Sequence, residues 1–229
     1  MTEAELMAAG PPVTGGSAKR PERIRIEGEY AVVEPLDPVG HSDDLWQSAG
    51  GWERHALWKY MHSGPFAERP AFDAYLAEKA ATDDPMYFTI VDRSTGKAAG
   101  HAAYMRIDAS QRVIEVGAIV FTPKLQKTRA ATEAMYLMAR HVFEDLGYRR
   151  YEWKCNVLNE GSQTAARRLG FTFEGVFRQH MIVKGRSRDT AWYAMLDSEW
   201  PARKARFERW LAAENFDSVG RQRVRLNQL

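Results

Sequence analysis

The sequence predicts an α/β domain: one mixed, mostly antiparallel sheet of about seven strands with helices on both faces. Three observations carry this expectation. The apolar runs MYFTIVD, AAGHAAYMRI and VIEVGAIVF follow one another across short polar turns, as an antiparallel meander does. A strand, a long amphipathic helix and another strand come next, and that crossover requires parallel pairing. The chain has 229 residues, 45% hydrophobic and 11% aromatic, enough for one well-filled core.

Taken in order, the N-terminal MTEAELMAAGPPVTGGSAKRPER is rich in Gly, Pro, Ala and charge, so residues 1–24 read as a flexible tail. Its Glu3 and Glu5 and its lack of an apolar core argue against a signal peptide. EYAVVEPLD reads as the first strand, ended by Pro38. HSDDLWQSAG reads as a short helix, with Ser42 as N-cap and Gly50 or Gly51 as its stop. GGWERHALWKYMHSGPF is dense in aromatic residues and has no clean period. ERPAFDAYLAEKAAT is helical, with Pro70 in the first turn and Phe72, Leu76 and Ala80 four apart.

After the meander, Ala131, Met135, Met138, Val142 and Leu146 form one apolar helical stripe, and Gly147 stands where a C-cap glycine belongs. RRYEWKCN alternates Tyr151, Trp153 and Cys155 against Glu152, Lys154 and Asn156, a period of two. NEGSQTAARRLG is a helix capped near Asn159 and stopped by Gly170. FTFEGVFRQHMIVKG and DTAWYAML are two strands around a KGRSRD turn. EWPARKARFERWLA is a C-terminal helix, followed by a basic, loose end, GRQRVRLNQL.

Several function classes are disfavoured at this level. Lys+Arg 32 nearly cancel Asp+Glu 30, and a net charge of +2 gives no reason to expect a nucleic-acid partner. A single cysteine, Cys155, allows no internal disulfide framework and no cysteine-rich metal site, and no His/Asp/Glu spacing resembles one. His55, His101 and His180 are isolated. No apolar run is long enough to span a membrane, so a cytoplasmic protein is expected.

Three stretches can carry chemistry. VIEVGAIVFTPKLQKTRAATEA runs strand, turn, helix, and free N–H groups at a helix start favour phosphate oxygens. Ala130 and Ala131 are small, Thr132 adds a hydroxyl, and Lys127 and Arg129 add positive charge. An ordinary helix start with solvated basic residues has the same pattern. In CNVLNEGSQTAARRLGF, Asn159 and Ser162 open a helix, where polar side chains also serve as caps. Glu115 lies in an apolar strand just before Gly117, a place for a bulge. Burial there would raise its pKa and suit it to accept a proton. A solvated Glu115, or one paired with Arg112 or Arg106, stays open.

In this order and spacing, IEVGAIVFTPKLQKTRAATEAM, YEWKCNVLNEGSQTAARRLGF and EGVFRQHMIVKGRSRDTAWYAML resemble the GNAT superfamily of N-acetyltransferases, most closely its RimJ/RimL-type branch of ribosomal-protein N-terminal acetyltransferases. The resemblance covers residues 25–197 as the domain, leaving residues 198–229 as a helix and basic tail packed on it or extending from it. It implies acetyl-CoA as co-substrate, no metal, and a sheet splayed between its fourth strand (113–121) and its fifth (149–156). The acyl-pantetheine arm would lie along Ile119, Val120 and Phe121. The family's pyrophosphate turn falls on Gln126, Lys127, Thr128, Arg129, Ala130 and Ala131, with Thr132 beside it, and Arg129 replaces the usual glycine. Asn159 would hold the cofactor arm. Ser162 would protonate the leaving thiolate.

Direct transfer to a primary amine is implied, with Glu115 as base and His180 in reserve, and with Cys155 as packing only. The acceptor, a small molecule or a peptide amine, would lie under GGWERHALWKYMHSGPF, where Trp52, Trp58 and Tyr60 wall a pocket or cover the core. A homodimer stays open. The alternative is a CoA-binding or interaction module on this fold with little transferase activity, which Arg129 favours. The side chain of Arg129 is expected either to turn to solvent or to fold onto a CoA phosphate.

Overall fold

The computed structural model describes residues 10–229; residues 1–9 of the expected tail lie outside them. Eight strands form one sheet in the order β1-β2-β3-β4-β5-β6-β8-β7. They are β1 (Ile26–Glu27), β2 (Ala31–Pro35), β3 (Met86–Asp92), β4 (Lys97–Asp108), β5 (Val113–Phe121), β6 (Arg150–Asn156), β7 (Thr172–Val183) and β8 (Arg186–Leu196). The strand beyond the expected seven is the two-residue β1, so the expected fourth and fifth strands are β5 and β6. All pairings are antiparallel except β5 with β6.

Helices α1 (Ser42–Ala49), α2 (Arg69–Ala81), α3 (Arg129–Arg140), α4 (Glu160–Arg168) and α5 (Trp200–Leu211) cover the two faces. A 3-10 turn, Trp52–Trp58, occupies the aromatic segment that has no clean period. Two separate cores result, because strand side chains alternate between faces. Phe88, Ile90, Tyr104, Ile114 and Val116 pack against the α3 stripe of Met135 and Met138. Tyr87, Ala103 and Val120 pack against Leu45 of α1, Trp58, and Phe72 and Leu76 of α2.

Local signals explain most boundaries. Asn159 accepts from the Ser162 N–H at 3.1 Å and starts α4. Gly147 and Gly170 have φ of +79° and +96°, the left-handed stop that glycine permits. After Arg140 the α3 stripe continues through a π-helical turn, His141–Asp145, rather than as regular α-helix. Helix α1 is preceded by His41 without a side-chain cap, while the Ser42 hydroxyl donates to Asp73. The β7–β8 turn is shorter than expected: Lys184 and Gly185 both have positive φ, the geometry of a two-residue hairpin turn, so β8 begins at Arg186.

Residues 18–21 and the C-terminal end approach the domain more closely than composition suggests. The Ala18 and Lys19 N–H groups donate to Ala109 and Leu146, and Pro21 is buried. The basic C-terminal end is not loose: Leu226 is buried, and Arg206 and Arg209 donate to the Leu226 and Leu229 carbonyls.

Candidate active site

Strands β5 and β6 pair only over Val113–Val116 and Arg150–Trp153. From Gly117 onward β5 stays paired to β4 but leaves β6. The cause lies within β5: its register against β4 shifts between His101 and Ala103, and Ala118 takes φ +49°. That bulge turns the strand and strips it of one neighbour, so one backbone edge of the segment 117–121 faces a cleft. Gly100 lies opposite the shift, where a Cβ would press on the Val120 carbonyl, so only glycine fits.

The cleft holds a cavity of about 380 Å³. Of the site residues expected from sequence, Glu115, Ile119, Asn159, Ser162, His180 and Tyr60 line it. The Tyr60 hydroxyl donates to the Leu158 carbonyl at 2.8 Å, linking the aromatic segment to the loop before α4. Two expected pocket walls are elsewhere. Trp58 is fully buried, its indole N–H donates to Ala49, and it belongs to the core under α2. Trp52 is 65% exposed and stacks on His55, because the 3-10 turn rotates it outward. Val120 points into the α2-side core and Phe121 against the other core, so neither offers a side chain to the cavity.

Glu115 is 4% exposed. Lys154 Nζ lies 2.9 Å and Arg106 Nε 3.2 Å from its Oε2, and Lys154 also contacts Glu152 at 2.6 Å. Burial raises the Glu115 pKa above the ordinary carboxylate value, while Lys154 and then Arg106 hold it back. The ion pair with Arg106 left open by the sequence is present, and Lys154 adds a second. Lys154 was identifiable in principle: it alternates with the inward Trp153 and Cys155, and the parallel register sets Glu152 opposite Glu115. His180 lies 3.0 Å from the Thr190 hydroxyl through Nδ1, and burial first, then Arg106, lowers its pKa. His101 is a buried core residue bonded to the Tyr75 hydroxyl at 3.1 Å, and burial pushes it down to about 4.

Ser162 accepts from the Trp153 indole N–H at 3.0 Å and lies beside Cys155. Cys155 is buried and lines the cavity; burial pushes its thiol up.

At the start of α3, the Thr128 hydroxyl accepts from the Ala131 N–H at 3.0 Å, and the Thr128 N–H donates to the Leu125 carbonyl. Arg129 and Ala130 are therefore the open backbone donors of this turn. Gln126 donates to the Phe121 carbonyl, and the Thr132 hydroxyl accepts from Arg168 at 3.1 Å. The positive φ of this turn falls on Lys127, at +63°, while Arg129 is the first α-helical residue. Its side chain neither turns to solvent nor reaches toward the turn: the guanidinium lies 4.4 Å from the Tyr30 ring centroid and 3.4 Å from that of Phe216. The missing glycine thus costs no left-handed backbone. Among the described residues Lys127 and Arg168 have no carboxylate partner, so the helix mouth is net positive.

These features define a class of protein: a mixed α/β fold whose one parallel strand pair opens into a cleft beside a positive helix start. Residues 36–172, more than half of the chain, match the family described as acetyltransferase (GNAT) domain. A GCN5-related N-acetyltransferase from Brucella melitensis is 46% identical, covering 93% of this chain and 96% of its own, with a TM-score of 0.90. A chain described as a probable acetyltransferase (GNAT family) from Chromobacterium violaceum ATCC 12472 is 38% identical, covering 85% of this chain and 98% of its own, with a TM-score of 0.78. An uncharacterized N-acetyltransferase, YnaD, of Bacillus subtilis (strain 168) is 27% identical over 62% of this chain and 81% of its own. The chain belongs to the GNAT family and is an acyltransferase.

Proposed function

We propose that the protein transfers an acetyl group from acetyl-CoA directly to a primary amine, with no covalent enzyme intermediate, and that it belongs to the RimJ/RimL-like branch. The observation that carries this reading is the bulged, unpaired edge of β5 running from a buried carboxylate toward an open helix N-terminus. Acetyl-CoA fits what is present: a bare strand edge suits the amides of its arm, and open N–H groups with unpaired cations suit its phosphates. It supplies an activated thioester carbonyl.

The chain's own groups do the rest. The open backbone donors Arg129 and Ala130, with Lys127 nearby, hold anionic oxygen at the α3 start. Asn159 spends its amide oxygen on the α4 cap, which leaves its NH2 for the cofactor arm. The N–H groups of the β5 bulge stabilise the developing oxyanion. Glu115 takes the amine proton, directly or through water, because burial keeps its proton affinity high. Ser162, held by Trp153, keeps its own O–H to give to the departing thiolate. Cys155 is a poor nucleophile while burial holds it protonated.

His180 is the second reading for the base. Its ring lines the cavity, and its lowered pKa keeps it neutral at pH 7.

Calorimetric titration with acetyl-CoA followed by thiol release across a set of primary amines tests the reading. Binding together with amine-dependent release is expected, and no binding at millimolar concentration refutes it. Glu115→Gln is expected to lower turnover with acetyl-CoA affinity kept; loss confined to His180→Ala moves the role to His180. Full rate in Ser162→Ala would remove Ser162 as the acid.

A further inference from the structure

Arg188, in β8, is the cation of this cavity that has no ion-pair partner among the described residues. Its residue is only 9% exposed, and its side chain lines the cavity. Its hydrogen bond is a long one, Nη1 to the His62 ring at 3.4 Å, and its buried Nε has no partner. Among the described residues no carboxylate lies within ion-pair distance of it.

The other cations lining the cavity are paired. Lys154 and Arg106 share Glu115, Lys154 also has Glu152, and Lys79 has Glu78. Burial lowers the pKa of His62 and of His180, so both rings are neutral at pH 7 and His62 can accept from Arg188. Among the described residues the cavity therefore holds one guanidinium with no carboxylate in contact, and Glu115 acts on it only from beyond ion-pair distance. A buried guanidinium with no carboxylate partner is costly and favours an anion that replaces the lost water.

Coenzyme phosphates do not answer to this charge, because none of Lys127, Thr128, Arg129 and Ala130 at the α3 start lines the cavity. His62 comes from the segment between the 3-10 turn and α2, the side on which the acceptor is expected. The site thus has a carboxylate for an amine at Glu115 and a guanidinium for an anion at Arg188, in one enclosure.

We propose that the amine acceptor carries a carboxylate close to its amino group, and that Arg188 is the specificity-determining residue that binds it. This rests on the acetyl-transfer reading above. A single unpaired guanidinium matches a monoanion, and its planar fork suits the two oxygens of a carboxylate. The carboxylate belongs either to a small amino acid or to an acidic residue next to a peptide N-terminus.

Matched acceptors separate these cases. Thiol release is measured with the dipeptide amides Ser-Glu-NH2 and Ser-Gln-NH2, and with β-alanine and β-alaninamide, for wild type, Arg188→Gln and Arg188→Lys. Wild type is expected to prefer the carboxylate member of at least one pair by about tenfold or more in kcat/KM, mostly through KM. The preferring pair identifies the source. Arg188→Gln is expected to lose that preference, and Arg188→Lys to keep part of it. Equal rates within both pairs for wild type, or an unchanged preference in Arg188→Gln, overturn the proposal.

A second measurement decides independently of turnover. The four N-acetylated products are titrated calorimetrically into each protein in the presence of CoA. Tighter binding of the carboxylate product by wild type, lost in Arg188→Gln, supports the proposal even if the transfer reading fails. Equal binding of acid and amide, or an Arg188→Gln defect seen only with CoA itself, refutes it. Removing an unbalanced buried charge should leave the melting temperature of Arg188→Gln unchanged or higher.

Discussion

Replacing Lys154 by Met should change both the pH profile and the stability of the protein in a linked way. Lys154 is almost fully buried and touches Glu115 at 2.9 Å and Glu152 at 2.6 Å. Glu115 has its pKa raised by burial, with Lys154 the largest opposing influence and Arg106 the next. A close opposite charge lowers a carboxyl pKa by about 1–3 units. Arg106, 3.2 Å away but half exposed, remains in the variant. The acid limb of kcat/KM should therefore move to higher pH by about 1–2 units in Lys154→Met. Stability should fall by about 3–5 kcal/mol near neutral pH, since buried carboxylates lose their cation. A carboxyl whose folded pKa is raised contributes stability below its unfolded pKa and loses it as pH rises through the folded value. The deficit of the variant should thus be largest at alkaline pH and shrink as Glu115 protonates. Initial rates and thermal melts from pH 5 to 9 read both effects. An acid limb that stays in place or moves to lower pH would remove Glu115 as the titrating base, and a deficit that grows on acidification would refute the electrostatic argument.

Arg129→Ala should lower stability by about 1–2 kcal/mol through loss of its contacts with Tyr30 and Phe216, while acetyl-CoA affinity changes less than about threefold; a tenfold affinity loss without a melting change would contradict this. Glu133, buried in α3, accepts from the N–H groups of Glu29, Tyr30 and Ala31 at 2.6–2.9 Å, so Glu133→Gln should cost about 2–3 kcal/mol in a denaturation series. Trp52→Ala should leave kcat/KM within about twofold and stability within about 0.5 kcal/mol, because Trp52 lies outside the cavity and is exposed; a large rise in KM would return Trp52 to the acceptor site.

The architecture was legible because it depends on short-range patterns. The α3 stripe, the alternation of Tyr151, Trp153 and Cys155, and the caps at Asn159 and Gly147 each act within a few residues. The helix start with its basic residues was legible on the same ground. Less was legible where rings decide between core and pocket. Trp52 and Trp58 are six positions apart in an aperiodic segment, and only the 3-10 turn sends one outward and buries the other. The pairing of Glu115 with Lys154 and the isolation of Arg188 arise from strand register and from contacts across more than 30 residues, which composition does not encode. The stacking of Arg129 depends on Phe216, which lies beyond the C-terminal helix and 87 residues further along the chain.

The central claim, direct transfer in the β5–β6 cleft, is tested most directly by mixing the protein with acetyl-CoA, with and without a primary amine, and following intact protein mass and thiol release together. Direct transfer predicts thiol release only when the amine is present and a protein mass unchanged throughout. A protein gaining one acetyl group in the absence of amine, abolished by Cys155→Ser, would contradict it.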